Sequence, residues 1–422
     1  TLEKPTTMQA IRLLHIADIH IGMENYGRVD PKTGLNQRVM DFLRRLSDAV
    51  DYALDHEIDV VIFAGDAYKT RDPNPTFQRE FARRMKRLAD AGIPVMMLVG
   101  NHDLPAVAQR ATSIGIFSTL AVPNTFLGDR EKLWQITCRR GQPLQVATVP
   151  YPLKSHLLAD EESRGKSIAE VDAMLQQALA ENIRALALEA RERPDIPAVL
   201  TGHFTVQEAS TGSERSIMIG RDVAVARSVL ADSTWDYVAL GHIHKHQSLN
   251  GDAHPPVIYS GSIERIDFGE EREPKGWVVA TVQRGQADWQ YVTHYRQPAR
   301  PFVTIAVDVR GEEGDPTPAV LAAIAQRDLT DAVVRVTLRL RAEQETLLQE
   351  REVLAALQRA AYFVAGFNKD VERPERQRLG AVSVEQMAPR ELLARFFEVK
   401  GVTPERAARL LHAAEGVMAE LS

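Results

Sequence analysis

Short apolar runs alternate with amphipathic helical patterns along the first part of the chain. The runs are rich in valine, isoleucine and leucine, which is typical of strands buried on both faces of a layered sheet. The five clearest runs span residues 11–17, 59–64, 93–99, 198–201 and 237–240. Helical patterns lie between several of them, at residues 36–56, 76–91 and 167–193. This alternation predicts an α/β fold in which a layered β-sheet core is flanked by helices.

Two prolines, Pro298 and Pro301, interrupt the pattern and predict a domain boundary. The first domain is therefore expected at residues 8–297, with Met8 as the natural start. A compact second α/β domain is expected at residues 298–370. Its strand-like runs cover residues 302–309, 332–340 and 362–367, and its helical patterns cover 317–326 and 343–360.

The end of the chain has a different pattern. Residues 371–382 are largely charged or polar and contain Pro374, so they are expected to form a linker. The segment 383–422 predicts a pair of amphipathic helices at residues 388–399 and 403–421, in which Pro389 and Pro404 suit the first helical turns.

Composition narrows the class of protein. With 44% hydrophobic and 26% charged residues among 422, the chain is expected to be a soluble globular protein rather than a disordered or membrane protein. The single cysteine, Cys138, excludes an internal disulfide and a multi-thiolate metal site, and it favours an intracellular location. The formal net charge of -6 gives no indication of a polyanionic partner.

Residues with metal-ligand chemistry follow each of the five clearest strands. Because the carboxyl ends of strands in α/β sheets form one rim, these side chains are expected to converge. Imidazoles, carboxylates and an amide oxygen suit Mn²⁺, Fe or Zn²⁺, and their number favours two ions that share a carboxylate. Any one motif alone could be an ordinary turn. The motifs are Asp18-Ile19-His20, Gly65-Asp66, Gly100-Asn101-His102-Asp103, Gly202-His203 and Gly241-His242-Ile243-His244.

In this order, the five motifs resemble the motif set of the calcineurin-like metallophosphoesterases. Residues 259–270, followed by Lys275-Gly276-Trp277, are similar to the segment that closes the nuclease domain of the SbcD exonuclease family of bacterial DNA double-strand break repair. The resemblance is strong to about Trp277 and weaker beyond. It implies that residues 8–297 are a nuclease domain, 298–370 a DNA-capping domain and 383–422 a segment that binds an ATPase partner.

The resemblance also implies a role for each candidate site residue. His102 would face the scissile phosphate as a general acid or transition-state stabiliser, and Asp103 would orient it. Lys69 stands where relatives often have His or Asp. Asp66 would bridge two divalent ions, Mn²⁺ above all, which activate a water molecule. One ion would be held by Asp18, His20, Asp66 and His244, and the other by Asp66, Asn101, His203 and His242.

The implied function is a Mn²⁺-dependent DNA nuclease, both a double-strand exonuclease and a single-strand or hairpin endonuclease. It would act as a homodimer with an SbcC-like ABC-type coiled-coil ATPase, in the bacterial cytoplasm with the nucleoid and away from the membrane. Two alternatives stay open: a small-molecule or cyclic-nucleotide metallophosphodiesterase, and a non-catalytic DNA-end tether with a structural metal site. The terminal helices would either close a hairpin onto the body or dock on the ATPase. Their apolar positions are Leu392, Leu393, Phe396, Phe397, Leu410, Leu411, Ala414 and Val417.

Overall fold

The computed structural model describes residues 9–105, 110–153, 165–212, 222–373 and 388–419. Its strands are β1 (Ile11–Ile16), β2 (Val60–Phe63), β3 (Val95–Leu98), β4 (Thr125–Gly128), β5 (Lys132–Thr137), β6 (Pro143–Val149), β7 (Ala198–His203), β8 (Thr205–Val206), β9 (Ala224–Val225), β10 (Tyr237–Gly241), β11 (Gln247–Ser248), β12 (Val257–Tyr259), β13 (Trp277–Gln283), β14 (Gln286–Val292), β15 (Phe302–Asp308), β16 (Val333–Arg341) and β17 (Phe363–Glu372). Its α-helices are Gln37–Asp55, Pro75–Asp90, Ile116–Thr119, Ile168–Ala190, Arg227–Leu230, Thr317–Ala325, Ala342–Glu345, Glu350–Ala360, Pro389–Val399 and Pro404–Ala419, and Phe268–Glu270 is a 3-10 helix.

Two six-stranded sheets form the core of the larger domain, in the orders β14-β13-β1-β2-β3-β4 and β11-β12-β10-β7-β6-β5. Side chains alternate across each strand, and both faces are covered. Leu13 and Ile62 belong to the core between the sheets, whereas Leu14 and Phe63 pack under the helices Gln37–Asp55 and Pro75–Asp90. The helix Ile168–Ala190 covers the outer face of the second sheet. The predicted layered α/β fold is confirmed.

The three long helices of this domain begin at residues that cap them. The side chains of Asn36 and Asn74 accept hydrogen bonds from the backbone two residues later, at 2.9 and 2.8 Å. Ser167 and Glu170 form a reciprocal capping box. The helices lie within three residues of their predicted ends.

A second, smaller core surrounds the parallel sheet β15-β16-β17. The helices Thr317–Ala325 and Glu350–Ala360 pack on this sheet through residues such as Val320 and Leu357. The single helix predicted at 343–360 is two helices in the structure, Ala342–Glu345 and Glu350–Ala360. The buried Gln344 side chain ties the first of them to the carbonyls of Val309 and Glu312. β17 extends to Glu372, into the predicted linker, because Val371 continues the ladder opposite Leu340. Residues 374–382 of that linker lie outside the described residues.

The terminal helices Pro389–Val399 and Pro404–Ala419 form as predicted. None of the side chains described between residues 388 and 414 is buried, although Phe396 and Leu410 are large and apolar. Val417 lies among residues whose side chains are not described. Among the described residues, no helix is both long and apolar enough to cross a membrane.

Candidate metal centre

The predicted ligands lie at one rim, where β1, β2 and β3 of one sheet end beside β7 and β10 of the other. Glycines permit this close approach. A Cβ on Gly241 would lie 2.1 Å from the carbonyl oxygen of Ala64, and Gly65 has a φ of +99° beside His203. Asp18, His20, Asp66 and His242 also have positive φ values. Such strain costs about 1–3 kcal/mol per residue and is concentrated at functional sites.

One group of donor atoms gathers around His20 and His244. Their Nε2 atoms lie 3.0 Å apart, and His20 Nε2 lies 3.7 Å from Asp66 Oδ2. Asp18, His20 and His244 form one triad of possible ligand atoms, all within 4.8 Å of one another. Two donors bound at about 2.0–2.2 Å to one ion are about 3 Å apart, so this spacing fits a divalent cation.

A second group gathers around Asn101. Its Oδ1 lies 3.0 Å from His203 Nε2 and 3.1 Å from His242 Nδ1. His203 Nδ1 donates to the carbonyl of Ala64 at 2.7 Å, so Nε2 points into the centre. Asp66 Oδ2 is 3.4 Å from His203 Nε2 and 3.7 Å from His20 Nε2, and it therefore stands between the two groups.

Burial and neighbouring charges shift the pKa values of the rim residues in both directions. Burial would raise the pKa of Asp66, but the imidazoles of His203, His102 and His20 hold it well below its ordinary value. Burial opposes a proton on His203, yet the Asp66 carboxylate raises the pKa of His203 to about 9. The pKa of Asp18 is raised, mainly by burial. Burial lowers the pKa of His20 well below its ordinary value, so this imidazole is a neutral donor. A cation would compete with protons for these donors.

His102 lies beside the first group of donors. Its backbone N–H donates to Asp66 Oδ1 at 2.8 Å, and its Nδ1 lies 2.7 Å from the carbonyl oxygen of Lys69. The ring meets that of His20 edge-on, with centroids 4.9 Å apart. His102 also belongs to a possible ligand triad with His20 and Asp66.

The expectation that Asp103 orients His102 is wrong. The buried Asp103 carboxylate accepts from the backbone N–H groups of Asp66, Ala67 and Gly100 at 2.8–3.1 Å, and from Ser113 Oγ at 3.0 Å. It therefore fixes the loops after β2 and β3, and the Lys69 carbonyl orients the imidazole. Burial and the charge of Asp66 raise the pKa of Asp103 to about 7.

Sequence reasoning missed two carboxylates that hold proposed ligands. Asp222 Oδ2 is 3.0 Å from His242 Nε2 and Oδ1 accepts from Tyr151 Oη at 2.7 Å, while Glu270 Oε1 is 2.9 Å from His244 Nδ1. Such partners fix the tautomer and orientation of metal-binding histidines. Glu270 lies in the segment 259–270 that resembles the SbcD family, so the sequence could have pointed to it. Nothing in the sequence around Asp222 indicates its contact with His242.

Comparison with known proteins agrees with this geometry. The family profile of calcineurin-like phosphoesterases matches residues 11–246. The chain belongs to this family. It is 30% identical over 292 residues to the SbcD subunit of the SbcCD nuclease of Bacillus subtilis, covering 67% of this chain and 69% of that protein. The same subunit of Escherichia coli K12 is 28% identical, and the match covers 66% of each chain. That of Rhodobacter capsulatus is 27% identical, and the match covers 92% of this chain and 94% of that protein.

These matches confirm the resemblance seen in the motifs. This phosphoesterase is a metal-dependent hydrolase whose relatives carry the name of a nuclease subunit. The chemistry of the clustered Asp and His side chains agrees with divalent metal binding.

Proposed function

We propose that this phosphoesterase hydrolyses phosphodiester bonds of DNA, as an exonuclease on double-strand ends and an endonuclease on single strands and hairpins. The observation that carries the proposal is the pair of donor groups on either side of Asp66. The relatives named as SbcCD nuclease subunits support DNA as the substrate.

Two Mn²⁺ ions are the proposed cofactors. When bound, such ions lower the pKa of water and offset charge on the phosphoryl oxygens. Asp66 would serve both ions. The other ligands would be Asp18, His20 and His244 on one side, and Asn101, His203 and His242 on the other.

His102 is the proposed general acid. A carbonyl oxygen only accepts, so the 2.7 Å contact with Lys69 places a hydrogen on His102 Nδ1. Nε2 is then the atom that holds a second proton and releases it to the leaving oxygen. The backbone contact to Asp66 fixes His102 next to the proposed metal centre.

Residues 298–370 are the proposed DNA-capping domain, and residues 383–422 the proposed binding segment for an SbcC-like ATPase. The exposed apolar side chains Phe396 and Leu410 support a partner on the terminal helices. Deletion of residues 383–422 is expected to abolish binding to such an ATPase in a pull-down and to leave basal cleavage intact. Retained binding would contradict this assignment.

A second copy of the chain is the proposed partner of the face around Ile116 and Leu120. These side chains are 52% and 67% exposed beside an apolar groove that includes Phe117 and Val122. Light scattering is expected to show a dimer for the wild type and a monomer for Leu120→Arg. A monomeric wild type at micromolar concentration would contradict the dimer.

Cleavage assays test the proposed activity directly. Blunt-ended and hairpin DNA, a cyclic nucleotide and bis-p-nitrophenyl phosphate are incubated with Mn²⁺ or Mg²⁺. We expect the wild type to cleave DNA with Mn²⁺. His102→Ala should lose this cleavage but still take up metal in calorimetry, whereas Asp66→Ala should lose both cleavage and metal uptake. Hydrolysis of the cyclic nucleotide but not of DNA would favour the small-molecule phosphodiesterase. Metal uptake without cleavage of any substrate would favour the non-catalytic DNA-end tether.

A further inference from the structure

The 3-10 helix Phe268–Glu270 holds the proposed ligand His244. Glu270 is fully buried, and its Oε1 lies 2.9 Å from His244 Nδ1. Lys275 Nζ lies 3.0 Å from Glu270 Oε2 and donates to the carbonyl of His244 at 3.0 Å. Both the ring and the backbone of His244 are thus fixed by residues in or next to this turn.

The next residue contacts the smaller domain. Glu271 accepts from the backbone N–H of Thr304 at 2.8 Å and from the Thr304 hydroxyl. Thr304 lies on β15, and its Oγ1 accepts in turn from Arg335 Nε at 2.9 Å. The Arg335 guanidinium lies 4.3 Å from the ring centroid of Phe268. Charged and polar groups of two strands therefore converge on the turn.

An aromatic contact joins the same two parts. The ring of Phe268 meets that of Phe302 edge-on, with centroids 5.0 Å apart, and Tyr26 packs against both at 5.5 and 5.7 Å. Phe268, Phe302 and Val333 form a small buried cluster. Because Phe268 and Glu271 flank Glu270 within four residues, a displacement of the smaller domain would move the carboxylate that holds His244.

We propose that Glu271 is a positioning residue that couples docking of the smaller domain to metal binding at His244. This inference rests on the proposed metal centre. The docked domain favours the ligand geometry of His244, and by thermodynamic reciprocity a metal ion bound there favours docking. The other ion would be held by Asn101, His203 and His242 together with the shared Asp66. Its two histidines are fixed by Ala64 and Asp222 rather than by the turn, so this ion is expected to keep its affinity.

Two conservative variants test the coupling from opposite sides. Thr304→Val keeps the shape of the side chain on β15 and removes its hydroxyl. Glu271→Gln removes the negative charge to which this hydroxyl donates. Arg339→Ala is the matched control, because Arg339 lies on the same domain in an exposed ion pair with Asp370. Mn²⁺ binding is measured by calorimetry on the full chain, and the thermal midpoint is measured without metal.

Outer partners of metal ligands typically contribute 10–100-fold to metal affinity. We expect each of the two variants to weaken one of two Mn²⁺ ions by about tenfold relative to Arg339→Ala. The double variant should bind that ion no more weakly than either single variant, because both substitutions act on the same contact between the Thr304 hydroxyl and the Glu271 carboxylate. Glu270→Gln is expected to weaken the same ion. Unchanged affinities, or equal weakening of both ions, would overturn the coupling.

The wild type separates this outcome from a failure of the metal centre. If the wild type takes up fewer than two Mn²⁺ ions, or Asp66→Ala binds them normally, the proposed centre is wrong and the coupling falls with it. If the wild type binds two ions and Asp66→Ala loses them, the centre stands whatever the Thr304 and Glu271 variants show.

Discussion

Replacement of Lys275 by Met removes the charge of a side chain that is wholly buried against Glu270 and Glu273. Lys275 Nζ lies 3.0 Å from Glu270 Oε2 and 2.9 Å from Glu273 Oε2, and the Lys275 and Glu270 side chains have no exposed surface. Met has a similar length and fits an apolar site. The substitution therefore leaves a buried carboxylate without its ammonium partner, which costs about 3–5 kcal/mol.

The pKa of Glu270 gives a second magnitude. Burial raises this pKa, but Lys275 and then His244 lower it from 4.5 to about 2. At 1.36 kcal/mol per pKa unit, that difference corresponds to about 3 kcal/mol of stability above pH 4.5, which is lost as the pH falls from 4.5 to 2. Lys275 is the largest of the contributions that lower this pKa, and the loss of the buried ion pair predicts that Lys275→Met destabilises the metal-free protein by about 3 kcal/mol at pH 7.

Urea unfolding followed by circular dichroism in EDTA measures this change. Lys86→Met is the matched control, because Lys86 pairs with Asp90 on an exposed helix face, and it should change the free energy of unfolding by less than about 0.5 kcal/mol. Adding Glu270→Gln to Lys275→Met should recover part of the loss, since no charge is then left unpaired at Glu270. The reasoning is refuted if Lys275→Met costs no more than Lys86→Met.

Two further predictions follow from the rim and the core. Gly241→Ala should abolish Mn²⁺ uptake in calorimetry, because its Cβ would lie 2.1 Å from the Ala64 carbonyl oxygen. Gly311→Ala is the control, since a Cβ there meets open space and Mn²⁺ should bind normally. Equal uptake by both variants would show that the rim tolerates the clash. Burial lowers the pKa of His15 from 6.5 to about 3, so the unfolded chain binds a proton that the folded chain does not. The free energy of unfolding should therefore fall by up to about 1.4 kcal/mol per pH unit between pH 6.5 and 3, and less steeply in His15→Gln; equal slopes in urea titrations would contradict this.

Much of the core was predictable because its strands are buried on both faces. Leu13 and Leu14 face opposite layers, so the run stays apolar without alternation, and the residue types after each strand then mark the rim. The starts of the three long helices lie within a residue of their predicted positions, next to Asn36, Asn74 and Ser167, whose side chains cap them.

The contacts around the candidate ligands were not predictable in the same way. Asp222 and Glu270 act on histidines that are 20 and 26 residues away along the chain, and only the folded backbone brings them together. Asp103 was misjudged because its target is a set of backbone N–H groups, which leave no mark in the sequence. β17 extends past its apolar run because pairing with β16 continues where the side chains turn polar.

Anomalous diffraction at the manganese edge, from crystals of the full chain soaked in Mn²⁺, tests the central claim most directly. We predict two peaks about 3.5–4 Å apart, one on each side of Asp66. One peak should be bound by His20 and His244, and the other by Asn101 and His203. A single peak, or two peaks that leave Asp66 uncoordinated, would contradict the two-ion centre.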